Sequence, residues 1–445
     1  MPASTSKSLR VAVLADSDTR WKWGSLTASR LSPAGSDIRL DGFLLRGRAT
    51  PTARQLEEVG VRADSLREVT ALEFLRELGQ EDRVYDVVVL ALVGGAVQAV
   101  LHGLSHAWDG RAKRPLVVTG YVGVVYEKLA DGLLLRHGAD LVLANSRQDA
   151  DRFRAVYEGV GADAGSVTEV ALPFLGGAAY AEHDPAAKPG RPHTVVFAAQ
   201  PSVPESRKDR TYLLDRLIGH ARLHPDREVL LKLRSKPGEH TTHIEELPYQ
   251  KLVQKADPPA NFRLVYGHMG EVLDRTDLLV TISSTAALES LHRRIPTVVL
   301  SDLGVREALG NHHFVGSGCL ASWDQLDAGH RPVPDADWVA RQGVAAEGDA
   351  YETAFDAART RLTELLAADR LPPLAPYYTP VTAPGYLPGI LARHHLAPDG
   401  GPLPGAPAAD REPSPVRQFV RRAARGAYRH GVQRVAPVIR RMGDL

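Results

Sequence analysis

The sequence predicts two doubly wound α/β domains in tandem, each a parallel sheet covered by helices on both faces. Three observations predict it. Short apolar runs recur along the chain, as strands buried on both faces require. Segments of helical composition separate them, which is what parallel pairing needs as a crossover. The alternation stops at a stretch rich in Gly, Ala and Pro, residues 176–192, and then restarts.

In chain order, residues 9–15 form a buried strand ending at Asp16-Ser17-Asp18, followed by a helix over 24–31 and a strand over 38–45. Helical segments at 53–59 and 71–78 precede a strongly apolar strand, 85–93, which runs into Gly94-Gly95 and a helix from 96 to 104. Strands at 115–119 and 141–144 follow, the second leading to the capped helix start Asn145-Ser146. After the linker come a strand (194–199), a helix (209–222), strands at 228–233 and 262–265, and a helix near 270–275. Residues 278–282 are a buried strand and 286–294 a helix, with Pro296 ahead of a last strand, 297–300. A helix over 351–368 follows both domains. The resulting boundaries are 1–178 and 190–345 for the domains, 346–370 for the helix, 371–414 for a Pro-rich extension and 415–445 for a basic amphipathic helix. Two such sheets facing each other would present the carboxyl ends of their strands across a cleft, where ligands of this architecture bind.

At 445 residues, 44% hydrophobic and 24% charged, the composition is that of a soluble globular protein with two or three cores. No apolar run spans a membrane, and residues 1–10 carry no hydrophobic core of a signal peptide, so a cytoplasmic location is expected. The single cysteine, Cys319, excludes an internal disulfide framework and a Cys-based zinc site. The net charge of +1 hides an asymmetry: residues 411–445 hold nine Arg and two acids, +7, against 45 basic and 51 acidic groups elsewhere, −6. An acidic body leaves no broad basic face for nucleic acid.

Chemistry concentrates at the strand ends. Ser283, Ser284 and Thr285 stand together where a strand hands over to a helix. Hydroxyls, free backbone N–H groups and the positive helix end suit a phosphate there, whereas an ordinary N-cap needs only one hydroxyl. Lys232, Arg234 and Lys236 alternate at another strand end and would share a face toward that phosphate, with His240 and His243 as further donors. Gln200 and Ser202 follow the second domain's first strand and are placed at the donor or acceptor. Glu289 either reaches ribose hydroxyls or pairs with Arg293 at i,i+4. Gly267 and His268 are assigned to the nucleobase.

In the first domain, Asp16 or Asp18 is read either as a general base or as a helix cap, with Trp21 and Trp23 offering indole faces to a sugar. Glu127, in the segment that begins Gly120-Tyr121, is the rival base. No Gly-x-Gly-x-x-Gly follows the first strand, and neither a Walker A nor a Gly-x-Ser-x-Gly sequence occurs, which argues against nicotinamide, flavin, P-loop and serine-hydrolase chemistry. His312-His313 lacks zinc-ligand spacing, so neither cofactor nor metal is expected and leaving-group charge falls to the helix and cations. In the tail, Val416, Phe419, Val420, Ala423 and Ala427 recur at helical spacing among arginines, the pattern of a helix attracted to an anionic membrane surface.

The tandem domains, Ala139-Asp140-Leu-Val-Leu-Ala-Asn145-Ser146 in the first and Ser-Ser-Thr-Ala-Ala-Leu-Glu-Ser-Leu followed by Ile-Pro in the second, resemble a GT-B glycosyltransferase over residues 9–370. More narrowly the chain is similar to an actinobacterial glycosyltransferase family akin to the bacterial sialyltransferase, polysialyltransferase and Kdo-transferase group. The resemblance implies a CMP-activated acidic sugar as donor and a glycan or glycolipid acceptor. It further implies inverting transfer without metal, the CMP phosphate being held by a paired-serine motif that Ser283-Ser284 matches. That group's His-Pro motif is replaced here by Lys232-Leu233-Arg234-Ser235.

Overall fold

The computed structural model describes residues 8–32, 37–47, 49–81, 85–123, 128–182, 191–236, 239 and 247–406. The described chain divides into two compact units. Residues up to Phe174, Arg341–Gly343 and those from Glu347 onward make the first, and Leu175–Ala340 with Val344–Ala346 the second.

The first unit's strands are β1 (Leu9–Ala15), β2 (Ile38–Leu45), β3 (Ser65–Val69), β4 (Val87–Ala91), β5 (Leu116–Gly120), β6 (Leu141–Ala144) and β7 (Val167–Glu169). They form one parallel sheet in the order β3-β2-β1-β4-β5-β6-β7. The second unit's are β8 (His193–Ala198), β9 (Arg227–Lys232), β10 (Phe262–Val265), β11 (Leu278–Thr281), β12 (Thr297–Leu300) and β13 (Leu320–Ala321), parallel in the order β10-β9-β8-β11-β12-β13. Strands β4, β5, β6, β11 and β12 are buried along their whole length, because helices cover both faces.

One device fixes the register at the amino edges of both sheets. An aspartate immediately ahead of a strand accepts the first free N–H of the neighbouring strand. Asp64 takes Leu40 N–H, Asp86 takes Arg10, Asp140 takes Val117 and Asp277 takes Thr194, at 2.7 to 2.9 Å. Arg114 and Arg191 neutralise Asp140 and Asp277. These carboxylates answer backbone donors that a strand end would otherwise leave unpaired.

Two expectations at the chain's end are corrected. The single helix over 351–368 is two, Ala350–Thr353 and Asp356–Ala367. Residues 371–406 are a strap rather than an open extension. Arg114, Ser105 and His102 donate to the carbonyls of Pro372, Leu374 and Tyr378 at 3.0, 3.2 and 2.9 Å, tying the strap along the helix Gly94–Ala107. A short helix, Leu387–Ala392, then buries Leu387, Ile390 and Leu391 in the first unit's core. The basic tail, 415–445, lies outside the described residues, and none of the described helices is long and apolar enough to cross a membrane.

Candidate functional site

In each sheet the strand order reverses once, between β1 and β4 in the first and between β8 and β11 in the second. Loops leaving the carboxyl ends diverge at such a point and leave room for a ligand. Of the sequence candidates, Asp16 stands at the first of these places and Gln200 with Ser283, Ser284 and Thr285 at the second.

At the second unit's switch point, Gln200 follows β8 and its Oε1 accepts from the backbone N–H of Ser283 at 3.1 Å, bridging to the residue that follows β11. The three hydroxyls expected to act together behave differently. Ser283 is buried and its hydroxyl donates to the Leu309 carbonyl at 2.6 Å. Ser284 Oγ accepts the N–H of Ala286, the first residue of the helix Ala286–His292, at 3.2 Å. Thr285 is half-buried, and its hydroxyl makes no hydrogen bond among the described residues. Of the three, Ser283 is committed to the wall, while Ser284 and Thr285 are half-buried.

Two residues that sequence reasoning missed hold this loop pair. Arg210, 1% exposed, donates to the carbonyls of Pro201 and Pro204 at 3.1 and 3.3 Å and stacks 4.2 Å over the Tyr249 ring, which fixes the loop carrying Gln200 and Ser202. Asn311, fully buried, donates to the Leu300 and Gly304 carbonyls at 3.1 and 2.9 Å and so shapes the loop that presents Leu309. A buried amide that spends both N–H bonds on one loop is a rigid brace.

The cations are arranged less regularly than alternation implied. β9 ends at Lys232, so Arg234 and Lys236 lie beyond the strand and lose its two-residue period. Lys232 is buried and its ammonium donates to the Leu233 carbonyl at 2.8 Å. Arg234 is half-buried and Lys236 exposed. His240 and His243 lie outside the described residues. Gly267 adopts φ +97° with open space where a Cβ would stand, and His268 caps the helix Met269–Leu273. Glu289 is buried in its helix. Arg293 sends its guanidinium to Asp274 at 2.6 Å and to the Gly270 and Gly176 carbonyls.

At the first unit's switch point, Asp16 follows β1 and accepts the N–H of Val93, beyond β4, at 3.0 Å, while Arg20 pairs with its other oxygen at 2.9 Å. Neither aspartate is the cap of the next helix, Asp18–Leu31. Ser17 is the cap, and Asp18 sits in the first turn, where its charge favours the helix dipole. That helix starts six residues earlier than expected, which overturns the reading of the tryptophans. Trp21 and Trp23 are 0% and 1% exposed and face the core. A Cβ on Gly42 would stand 2.6 Å from the Trp21 ring and one on Gly120 2.8 Å from the Trp23 ring. Both indoles are packed shut and offer no face to a sugar.

Gly120 ends β5, and its carbonyl accepts from Arg136 at 3.0 Å. The same guanidinium lies 3.9 Å from the centroid of Tyr121, whose hydroxyl burial pushes up in pKa and Arg136 pulls back down. Asn145 donates to the Tyr121 carbonyl at 2.7 Å. Glu127 lies outside the described residues. The strap adds His394, half-buried and held below the ordinary histidine pKa by burial first, then by Arg393 and His395, with Asp16 acting the other way. A cavity of about 980 Å³ opens at the opposite, amino edge of this sheet, lined by Leu9, Tyr85, Asp86 and Leu116 among others, remote from these groups.

The family described as "Putative glycosyltransferase (DUF6716)" matches residues 11–365. No curated protein matches the chain in sequence. Among solved structures, the fold is similar to "S. aureus MnaA-UDP co-structure", at 11% identity and TM-score 0.50 over 82% of this chain and 99% of that one. It is similar to a structure titled putative UDP-N-acetylglucosamine 2-epimerase from Listeria monocytogenes, at 11% identity and TM-score 0.50 over 83% of this chain and 100% of that one. A UDP-glucosyltransferase from Polygonum tinctorium aligns at 14% identity and TM-score 0.43 over 82% and 94%. At such identity the first two speak for the fold alone, which with the two parallel sheets is GT-B-like.

Proposed function

The chain belongs to this family of putative glycosyltransferases, and on that premise we propose that it moves a sugar from a nucleotide donor to a hydroxyl acceptor, with the donor phosphate at the second unit's switch point. The observation that carries the reading is the hydroxyl of Thr285, which stands at a helix start beside the Gln200–Ser283 bridge with no hydrogen bond among the described residues. Hydroxyls and a half-buried guanidinium, Arg234, neutralise a departing phosphate without added metal. Gly267, His268 and Glu289 are assigned to the nucleoside. The attacking hydroxyl gives its proton to a first-unit base, for which Asp16, Asp18 and Glu127 are the sequence candidates. Transfer is direct and inverts the anomeric carbon: the acceptor oxygen bonds to it as the nucleotide phosphate leaves.

For the donor, the paired serine supports a CMP-activated nonulosonic acid, and the product is then a cell-surface glycan. A UDP-sugar is the second reading, because two structural neighbours carry UDP in their titles. A donor panel with purified protein and glycan acceptors separates them. Release of CMP is the expected result, release of UDP selects the second reading, and failure to bind any nucleotide by calorimetry removes both. For the tail, we propose contact with an anionic membrane surface; deleting 411–445 then abolishes cosedimentation with anionic vesicles and leaves activity in solution intact.

A further inference from the structure

At the amino edge of the second sheet, away from Gln200 and Ser283, two imidazoles and a carboxylate converge. His220 lies in the last turn of the helix Arg207–Leu223 and His224 is its C-terminal cap, so their spacing of four brings the rings together, with centroids 4.6 Å apart. Asp327 ends the helix Trp323–Asp327, whose Trp323 ring packs 5.6 Å from His220. Nδ1 of His220 and Oδ1 of Asp327 are 2.7 Å apart. One ligating atom from each of the three residues lies within 4.8 Å of the other two. Nε2 of His224 is buried and has no hydrogen-bond partner among the described residues, which is rare for a polar atom out of water.

We propose that His220, His224 and Asp327 bind a divalent cation of the zinc class, pinning the end of one helix to the other. Two neutral imidazoles, a carboxylate and one water make a four-coordinate set that suits Zn²⁺ and is poor for Ca²⁺ or Mg²⁺, which prefer oxygen. The cation takes the place of the proton shared by His220 and Asp327. With metal–ligand distances of about 2.0–2.2 Å, the two side chains need to part by less than about 1 Å. That proton moves to Nε2 of the same ring, which stays neutral and gives up its long contact with Arg227, and nothing is oxidised or reduced.

The surrounding arginines set the limits of the site. Arg216 is occupied by Asp324 at 2.7 Å and by the other oxygen of Asp327 at 3.1 Å, which leaves Oδ1 to the metal. Arg227 stands 3.4 Å from His220 Nε2, on the far side of that ring, and Arg331 is near Arg227. Their charges oppose any cation that nitrogen ligands do not bind tightly.

Untagged full-length protein, stripped with chelator and dialysed, is titrated with Zn²⁺ by calorimetry and with Co²⁺ by visible absorption. One equivalent bound, Co²⁺ bands of a four-coordinate site and a raised unfolding temperature are expected. His224→Ala, at a half-buried position, should weaken Zn²⁺ by about a hundredfold, the upper range for losing even a supporting partner of a ligand. The exposed neighbour His330→Ala should change nothing. Absence of saturable Zn²⁺ binding, or a folded His224→Ala protein that binds as wild type does, overturns the proposal.

Discussion

The two switch points are built on one plan and finished differently. In each, a side chain just past the first strand reaches across the gap and accepts a backbone N–H beyond the strand on the other side: Asp16 from Val93, Gln200 from Ser283. The first bridge is a carboxylate already paired with Arg20 and backed by two sealed tryptophans. The second is a neutral amide followed by hydroxyls, one of which makes no hydrogen bond among the described residues. A charged bridge already bonded at both oxygens is first of all a fastening, and the lone pairs it has left are what it could offer as a base. A neutral bridge beside hydroxyl donors is the end we propose as the anion site. Identical topology thus yields one closed and one open end.

The sharpest break of this comparison is Trp23→Ala. If the indole is core, unfolding free energy in denaturant falls by about 3–5 kcal/mol; an unchanged midpoint with altered acceptor binding would reopen the first switch point as a sugar site. Asp16→Asn comes next. With Asp16 as base, turnover drops by about 10² or more while nucleotide binding by calorimetry stays the same; full turnover shows the carboxylate to be a fastening only and moves the search to Asp18 and Glu127. At the second switch point, Ser283 and Thr285 should separate. Ser283→Ala costs about 1–2 kcal/mol of stability through the orphaned Leu309 carbonyl. Thr285→Ala keeps stability within about 0.5 kcal/mol but weakens nucleotide binding about tenfold. Equal behaviour of the two variants would contradict the division of labour among the hydroxyls.

The smallest effect is on pH dependence. His102 and His394 in the first unit, and His220 and His224 in the second, all have pKa values below the ordinary 6.5, with burial the largest cause. The unfolded chain therefore takes up protons first as pH falls, and stability present above pH 6.5 is lost below it. Thermal midpoints should be flat from pH 7 to 8 and decline toward pH 5; a rise on acidification would contradict the burial of these rings.

Strands buried for most of their length were plainly legible, because an unbroken apolar run has few other uses: β1, β2, β6 and β12 fall where the sequence places them, and so does the edge strand β10. The other three edge strands, β3, β7 and β13, were not. Ser65–Val69 is mostly exposed, and Leu320–Ala321 has two residues, so neither carries a buried pattern. The first helix's start was missed because Trp21 and Trp23 beside charged residues look like a ligand surface, whereas Gly42 and Gly120 make the room that hides them. In the site, residue identity revealed the hydroxyls and Gln200, since polar residues after apolar strands stand out. Arg210 and Asn311 stayed hidden because their roles depend on how nearby loops fold back onto them, and His394 because it lies on the strap that sequence reasoning missed. Leu387, Ile390 and Leu391 carried the helical spacing that would have exposed the strap.

The strap also sets an order of events during synthesis. Leu374, Leu387 and Leu391 belong to the same core as Leu14 and Val88, so the amino-terminal unit cannot close its interior until the whole second unit has left the ribosome. At about 5–20 residues per second, translation holds that half incomplete for roughly 10–40 s beyond Phe174. During that wait the flank of the helix Gly94–Ala107 stands bare to chaperones, and a truncated amino-terminal fragment would carry the same bare flank permanently.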